Sequence, residues 1–404
     1  MSLPSNRLYE ASKRIISAAG MLQVILKDPK DHVMEVSAQY FESRALHAAS
    51  RARIPDLLHE ASKQGQSEGL TISEIATKTG YDPIKCGRIM RLLATCHIFK
   101  QTGPESFSNN RVSAALVGNR PLSSYIDMYG AEWYSSSQHL IDVLSDPSSD
   151  LESAAFTKDT LYNKDGQTYW NYNDNNPDRH DMFAIAMSGS AQNNTQALLE
   201  DYPWDKLGKA VIVDVGGGIG ALSASLLLRF PQLSAAIQDR GSVIAQGKSH
   251  WETTFATAVE SGRVRFQVAD FFESPNQVSG AEVYMLRYIM DDWKDDACIK
   301  ILSAIRAAMN SNSRVLIVEA LLIPSWISDQ VNDIQLVTAP SPLLPNYGVA
   351  QKFVHFRDMN MMSLINGTER TVSEMSKVVQ DAGLKVSKVW QCRGDMCITE
   401  CVLP

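Results

Sequence analysis

A chain of 404 residues is longer than one compact domain usually runs, and 44% hydrophobic with 21% charged residues is a globular balance that excludes a largely disordered protein. The formal charge of -7, from 38 Lys and Arg against 45 Asp and Glu, opposes general affinity for a phosphate backbone, so no nucleic-acid partner is expected. Every apolar stretch falls well short of the ~18 residues of a membrane span, and MSLPSNRLYEASKR lacks a charged start followed by an apolar core, so neither a membrane nor a secretory route is expected.

Residues 1–118 are predicted helical, with Ile15, Ile16, Met21, Leu22 and Ile25 at roughly helical intervals. Within them, Thr71 and Glu74 read as a helix start, and Thr79-Gly80-Tyr81-Asp82-Pro83 as a turn. A helix over Ile84 to Thr95 and a hairpin turning at Gly103-Pro104 complete the pattern of a winged helix. Only Arg88 and Arg91 are arginines on the second helix, so the unit is expected to pack against a second copy of the chain or to close a pocket, not to read DNA. Residues 119–207 mix polar loops (SDPSSD, NYNDNNPDR) with apolar helices and are expected to link the domains and line a pocket.

From 208 to 404 the period changes. AVIVDV, SAAIQD, VRFQVAD, EVYMLRY and RVLIVEA are short apolar runs that alternate with helical segments, and TVSEMSKVVQDAGL precedes two closing strands. Such alternation predicts an α/β fold with a doubly wound, mostly parallel sheet. Cys86, Cys96, Cys298, Cys392, Cys397 and Cys401 form no C-x-x-C pair and have no His-rich surroundings. Free thiols in a reducing, cytoplasmic setting are therefore expected, and no metal site.

Asp214-Val215-Gly216-Gly217-Gly218-Ile219-Gly220 falls where the first strand turns into its helix, where side chains would keep a ligand off the backbone. Asp239 ends the second strand about twenty residues on, the place of a ribose acceptor. Gly216-x-Gly218-x-x-Ala221 can be written as a dinucleotide fingerprint, and the same loop suits S-adenosylmethionine, which has a ribose and an adenine but no pyrophosphate.

VDVGGGIG, QDRGSVI, ADFFESP, VYMLRYIMDDWKDDACIKIL, RVLIVEALL and RDMNMMSLINGTERT follow one another in the order and spacing of caffeic-acid-type small-molecule O-methyltransferases, and the chain particularly resembles the fungal branch of that family. The resemblance implies a class I methyltransferase domain using S-adenosylmethionine, a winged-helix N-terminal domain that forms a homodimer, and a small aromatic or polyketide-derived acceptor. It implies that Gly216 and Gly218 pass the methionine end of the cofactor, Asp239 holds its ribose, and Asp270 with Phe271 brackets its adenine. Arg287 stands where the family usually has a lysine facing the cofactor. Glu319 and Glu369 occupy the two positions flanking the catalytic base, and Met187, Asn360 and Met361 fall in acceptor-lining segments.

One position departs from the pattern. The family's base is the histidine of a His-Asp-Trp tripeptide, and here the tripeptide is Asp291-Asp292-Trp293. Against a phenol, exchanging a base of pKa ~6.5 for one of ~3.9 makes proton transfer less favourable by about 3.5 kcal/mol. Burial and the neighbouring Asp292, Glu319 and Glu369 would raise Asp291 and recover part of that. Three readings stay open: Asp291 as a base towards an acidic acceptor; a cofactor-dependent reaction without methyl transfer, such as a pericyclic step or a dehydration; or a silent dimer partner. His139, His180 and His355 are the histidines weighed as substitute bases.

Overall fold

The structure, a computed structural model, describes residues 3–66, 68–326 and 336–404. The chain forms two compact units, one of residues 26–145 and 154–190, the other of residues 1–25, 146–153 and 191–404.

In the first unit, helices Ile72–Thr79 and Pro83–Thr95 stand beside a three-stranded sheet of Leu70–Thr71, Phe99–Gly103 and Ser106–Asn109, which is the winged helix expected from the sequence. The start signals work as read. The Thr71 hydroxyl accepts the Glu74 N–H while the Glu74 carboxylate accepts the Thr71 N–H, and Gly80 ends the helix at φ 74°. Ile54, Leu58, Leu70, Ile75, Met90, Leu93, Phe99 and Phe107 are its buried core. Val33, Met34, Val36, Tyr40 and Phe41 stay exposed.

The second unit carries a seven-stranded sheet: β1 (Val211–Val215), β2 (Ser234–Asp239), β3 (Val264–Val268), β4 (Val283–Arg287), β5 (Arg314–Glu319), β6 (Lys385–Gln391) and β7 (Cys397–Val402). Their order is β3-β2-β1-β4-β5-β7-β6, parallel except that β7 runs antiparallel to both neighbours. The central strands are buried on both faces, which is why they read as continuous apolar runs. Strand order reverses between β1 and β4, and ligands bind such sheets in the crevice beyond the strand ends at that switch. Register aligns those ends: Val215 pairs with Gln238 and Leu286, Asp239 with Val268, and Arg287 with Val318.

The chain divides otherwise than a cut at 118 and 207 implies: residues 119–145 and 154–190 fall in the first unit, and residues 1–25, 146–153 and 191–207 in the sheet unit. The Asn6–Leu26 helix belongs with the sheet unit because polar side chains tie it there. Tyr9 donates to the Gly394 carbonyl at 2.9 Å, Tyr347 donates to Glu10 at 2.5 Å, and Lys13 lies 3.9 Å over the Tyr347 ring. Residues 146–153 join the same unit through a Lys294–Asp150 ion pair and through Asn366, which donates to the Asp150 carbonyl (2.7 Å) and the Ser153 hydroxyl (2.9 Å). All six cysteines are free. Among the described residues, no helix is long and apolar enough to cross a membrane.

Candidate active site

The glycine loop leaves β1 with Gly216, Gly218 and Gly220 at φ 67°, 59° and 82°, the left-handed region that other residues enter only at a cost. A Cβ at Gly216 would sit 2.5 Å from Ile289 Cδ1 and 3.7 Å from Phe271, whereas a Cβ at Gly218 would meet nothing within 4 Å. The loop therefore presents bare backbone at Gly218 and packs tightly at Gly216. Below it, Asp214 is fully buried and donated to by Ser223 at 2.6 Å; burial pushes its carboxyl up to about 6. The Trp251 indole donates to the Ile219 carbonyl at 2.8 Å and fixes the loop from behind.

Asp239 reaches the loop from the end of β2, accepting the Gly218 N–H at 2.8 Å. Asp270 accepts the Phe272 N–H at 2.9 Å and so sets the turn that carries Phe271, whose ring meets Trp293 edge to face at 6.0 Å. The donor set fits S-adenosylmethionine: open backbone for the methionine end, a strand-end carboxylate for the ribose, and an aromatic turn for the adenine. Arg287 ends β4 with its guanidinium 5.2 Å from the Tyr288 ring, and Tyr288 holds φ 55°.

The acidic tripeptide forms a short 3-10 turn, Met290–Asp292, between β4 and the Asp295–Ala308 helix. Two long side chains hold its backbone. Glu319, at the end of β5, accepts the N–H groups of Ile289 (3.1 Å) and Met290 (2.5 Å). Arg370 donates to the carbonyls of Met290 (2.6 Å) and Trp293 (2.7 Å) and to Asp295 (2.9 Å). Gly367 leaves no room above the turn, since a Cβ there would sit 2.4 Å from the Asp291 carbonyl oxygen, and the next residue, Thr368, donates its N–H to that oxygen at 3.0 Å.

Asp291, Glu319 and Glu369 are each buried. Among the described residues Asp291 Oδ1 has no hydrogen-bond partner, and Asp291 Oδ2 lies 3.6 Å from Arg357 Nη2, which lies 2.7 Å from Glu369 Oε1. Burial raises all three carboxyls; Arg357 draws Asp291 and Glu369 back down, and Asp291 and Glu369 push Glu319 further up. Asp292 is raised by burial and by Asp291. The site therefore keeps protons that free carboxylates lose.

Glu369 stands at about 8 against an ordinary value of 4.5. Between those values the folded chain binds a proton that the unfolded chain has released, so stability falls as pH rises through this window. Glu369→Gln, a mimic of the protonated form, is expected to raise the melting temperature at pH 8 and to flatten its decline between pH 5 and 8. A decline as steep as the wild type's would assign that slope to other groups.

The expected cofactor residues and the three expected catalytic carboxylates thus lie in one unit: Glu369 in the loop before the Val372–Asp381 helix, and the others at or just beyond the ends of β1 to β5. Asn360 and Met361 are in the same unit, on the Lys352–Ile365 helix that packs against the 3-10 turn. Met187 lies half-buried on the Pro177–Asp201 helix, in the part belonging to the other unit. Among the histidines, His139 pairs with Asp142 at 3.1 Å and His180 also belongs to that other unit, while His355 faces Asp358. Sequence reasoning missed Arg357, Arg370 and Trp251. Arg357 and Arg370 bracket the conspicuous RDMNMMSLINGTERT segment, but nothing in the linear pattern says which carboxylate or carbonyl they reach.

Sheet order, glycine loop and strand-end carboxylate together define a class I, S-adenosylmethionine-dependent methyltransferase. The O-methyltransferase domain family matches residues 146–385, and the O-methyltransferase dimerisation domain matches residues 34–119. The O-methyltransferase tpcA of Aspergillus fumigatus is 37% identical, covering 100% of this chain and 89% of its own. The O-methyltransferase gedA of Aspergillus terreus is 35% identical over 99% of this chain and 88% of its own. Among solved structures, the mitomycin 7-O-methyltransferase MmcR superposes with a TM-score of 0.71 at 24% identity, covering 93% of this chain and 98% of that one. The chain belongs to the O-methyltransferase family and is an S-adenosylmethionine-dependent O-methyltransferase.

Proposed function

We propose that the enzyme methylates a hydroxyl of a small aromatic or polyketide-derived secondary metabolite, with Asp291 as the general base and Glu319 and Glu369 holding it in place. The observation that carries this reading is a buried carboxylate oxygen, Asp291 Oδ1, without a hydrogen-bond partner among the described residues, in a cluster of raised carboxyls beside the glycine loop. S-adenosylmethionine supplies a methyl group on a sulfonium sulfur, which keeps the bonding electron pair when the methyl leaves. Gly216 and Gly218 would pass its methionine end, Asp239 its ribose, and Asp270 with Phe271 its adenine, with Arg287 facing it from β4. Asn360 and Met361 would line the acceptor pocket. A pocket that holds the acceptor oxygen in position would remove most of the orientational cost of transfer. Asp291 takes the proton as the oxygen attacks, and its raised affinity for protons narrows the mismatch with a phenol.

The exposed Val33, Met34, Val36, Tyr40 and Phe41 support a homodimer through the N-terminal domain, and the six free thiols support a cytoplasmic setting. The test is release of S-adenosylhomocysteine by the purified full chain across a panel of phenols, dihydroxybenzoates and aryl acids. Equal amounts of S-adenosylhomocysteine and methylated product are expected from an acidic phenol. Product that needs cofactor but yields no S-adenosylhomocysteine would replace this reading with a non-methylating reaction.

A further inference from the structure

We propose that Arg357 is a positioning residue that keeps Asp291 ionised, so that the two side chains together replace a single neutral base. The inference rests on the reading of Asp291 as base and adds a second member to it. Arg357 Nη2 lies between two carboxylates from different elements, 2.7 Å from Glu369 Oε1 and 3.6 Å from Asp291 Oδ2. The guanidinium is nearly buried, 5.2 Å from the centre of the Tyr288 ring, and its Nη1 is 3.8 Å from Met396 Sδ. It sits on the Lys352–Ile365 helix three and four residues before Asn360 and Met361, and so shares their face.

The charges around this guanidinium are unbalanced. Asp291 and Asp292 face the site from the 3-10 turn, Glu319 from β5, Glu369 from the loop before the Val372–Asp381 helix, Asp358 from the same helix as Arg357, and Asp395 from the β6–β7 turn. Arg370 donates to two backbone carbonyls and Asp295, and its charge also draws Asp291 and Glu319 down, behind Arg357 in its effect on Asp291. Arg357 is directed at the carboxylates themselves, and a buried carboxylate stays charged only beside such a partner. When the acceptor's O–H bond breaks, its proton goes to Asp291, which becomes a neutral acid, and Arg357 keeps its place 2.7 Å from Glu369 Oε1. A histidine at 291 would have to become imidazolium within a few ångströms of the same guanidinium, an encounter of like charges. Histidine at this position therefore requires the removal of Arg357.

The test needs no acceptor, so it fails or succeeds separately from the assignment of the base. In full-length protein labelled with carboxyl-13C aspartate, the resonance lost in Asp291→Asn identifies Asp291, and its titration midpoint is followed with pH. Arg357→Leu is expected to raise that midpoint by at least one unit, about tenfold in the ionisation equilibrium. Arg357→Lys, which keeps the charge, should restore most of it. Arg357→Gln serves in the same way should the leucine variant fail to fold. Thermal melts at pH 6 give the second readout: Asp291→His alone should lower the melting temperature, and Asp291→His with Arg357→Leu should recover at least half of that loss. An unmoved midpoint in the uncharged variants, or additive losses in the double variant, would overturn the proposal.

Discussion

Asp291→Asn is expected to slow S-adenosylhomocysteine formation by about 10²–10⁴-fold, the range over which a positioned general base contributes. Asparagine has nearly the shape of aspartate, so the 3-10 turn and its supports from Glu319, Arg370 and Thr368 stay in place. What disappears is the proton acceptor. Asp291 Oδ1, without a partner among the described residues, is buried, and Glu319 spends one carboxylate oxygen on two backbone N–H groups. Calorimetry should find cofactor affinity nearly unchanged, because the ribose, adenine and methionine contacts are proposed for Asp239, Phe271 and the glycine loop, not for Asp291. A variant within tenfold of wild type, with cofactor and acceptor bound, would mean that the acceptor enters already ionised and that Asp291 is not the base. The stability result for Glu369→Gln bears on the same cluster without turnover and keeps the two questions apart.

Arg370→Met should be the most damaging single change to the fold around the site. The side chain is buried, and it satisfies the carbonyls of Met290 and Trp293 at opposite ends of the tripeptide. Methionine fills comparable volume but donates nothing, leaving the Met290 carbonyl only the Cys298 thiol (3.3 Å) and the Trp293 N–H (3.4 Å), and the Trp293 carbonyl only the Cys298 thiol (3.4 Å), at roughly 1–3 kcal/mol for each bond lost. A combined loss of about 3–5 kcal/mol corresponds to a fall of roughly 6–20 °C in the melting temperature of the sheet unit. Turnover should fall further than stability does, because the turn that aims Asp291 loses one of its two side-chain supports. Glu319 remains, accepting from Ile289 and Met290, so a folded but slow enzyme is the expected product at low temperature. A melting temperature within 2 °C of wild type would show that water replaces the guanidinium.

Much of this site was legible in the chain before any coordinates. Glycines at a strand end, an acidic residue one strand later and alternating apolar runs follow from local physics, so Gly216, Gly218 and Asp239 came together as expected. The acidic tripeptide was visible as a departure. Its compensation was not, because Arg357 meets Asp291 across 66 positions of sequence and Arg370 meets Met290 across 80. Charge patterns along a helix give a face, not the partner opposite it. The Asn6–Leu26 helix illustrates the same limit: its apolar spacing predicts an amphipathic helix, while Tyr9 and Glu10 decide which body it joins. Glu319 adds a refinement, since it grips the backbone of the turn and so aims Asp291 through the main chain.

Trp251 offers a practical handle. Its indole N–H ends on the Ile219 carbonyl inside the glycine loop, and its ring lies 3.2 Å from where a Cβ on Gly220 would be. Indole emission responds to that one polar bond, so occupancy of the neighbouring crevice can be read optically, by comparing the native chain with Trp251→Phe, with no radiolabel and no knowledge of the second substrate.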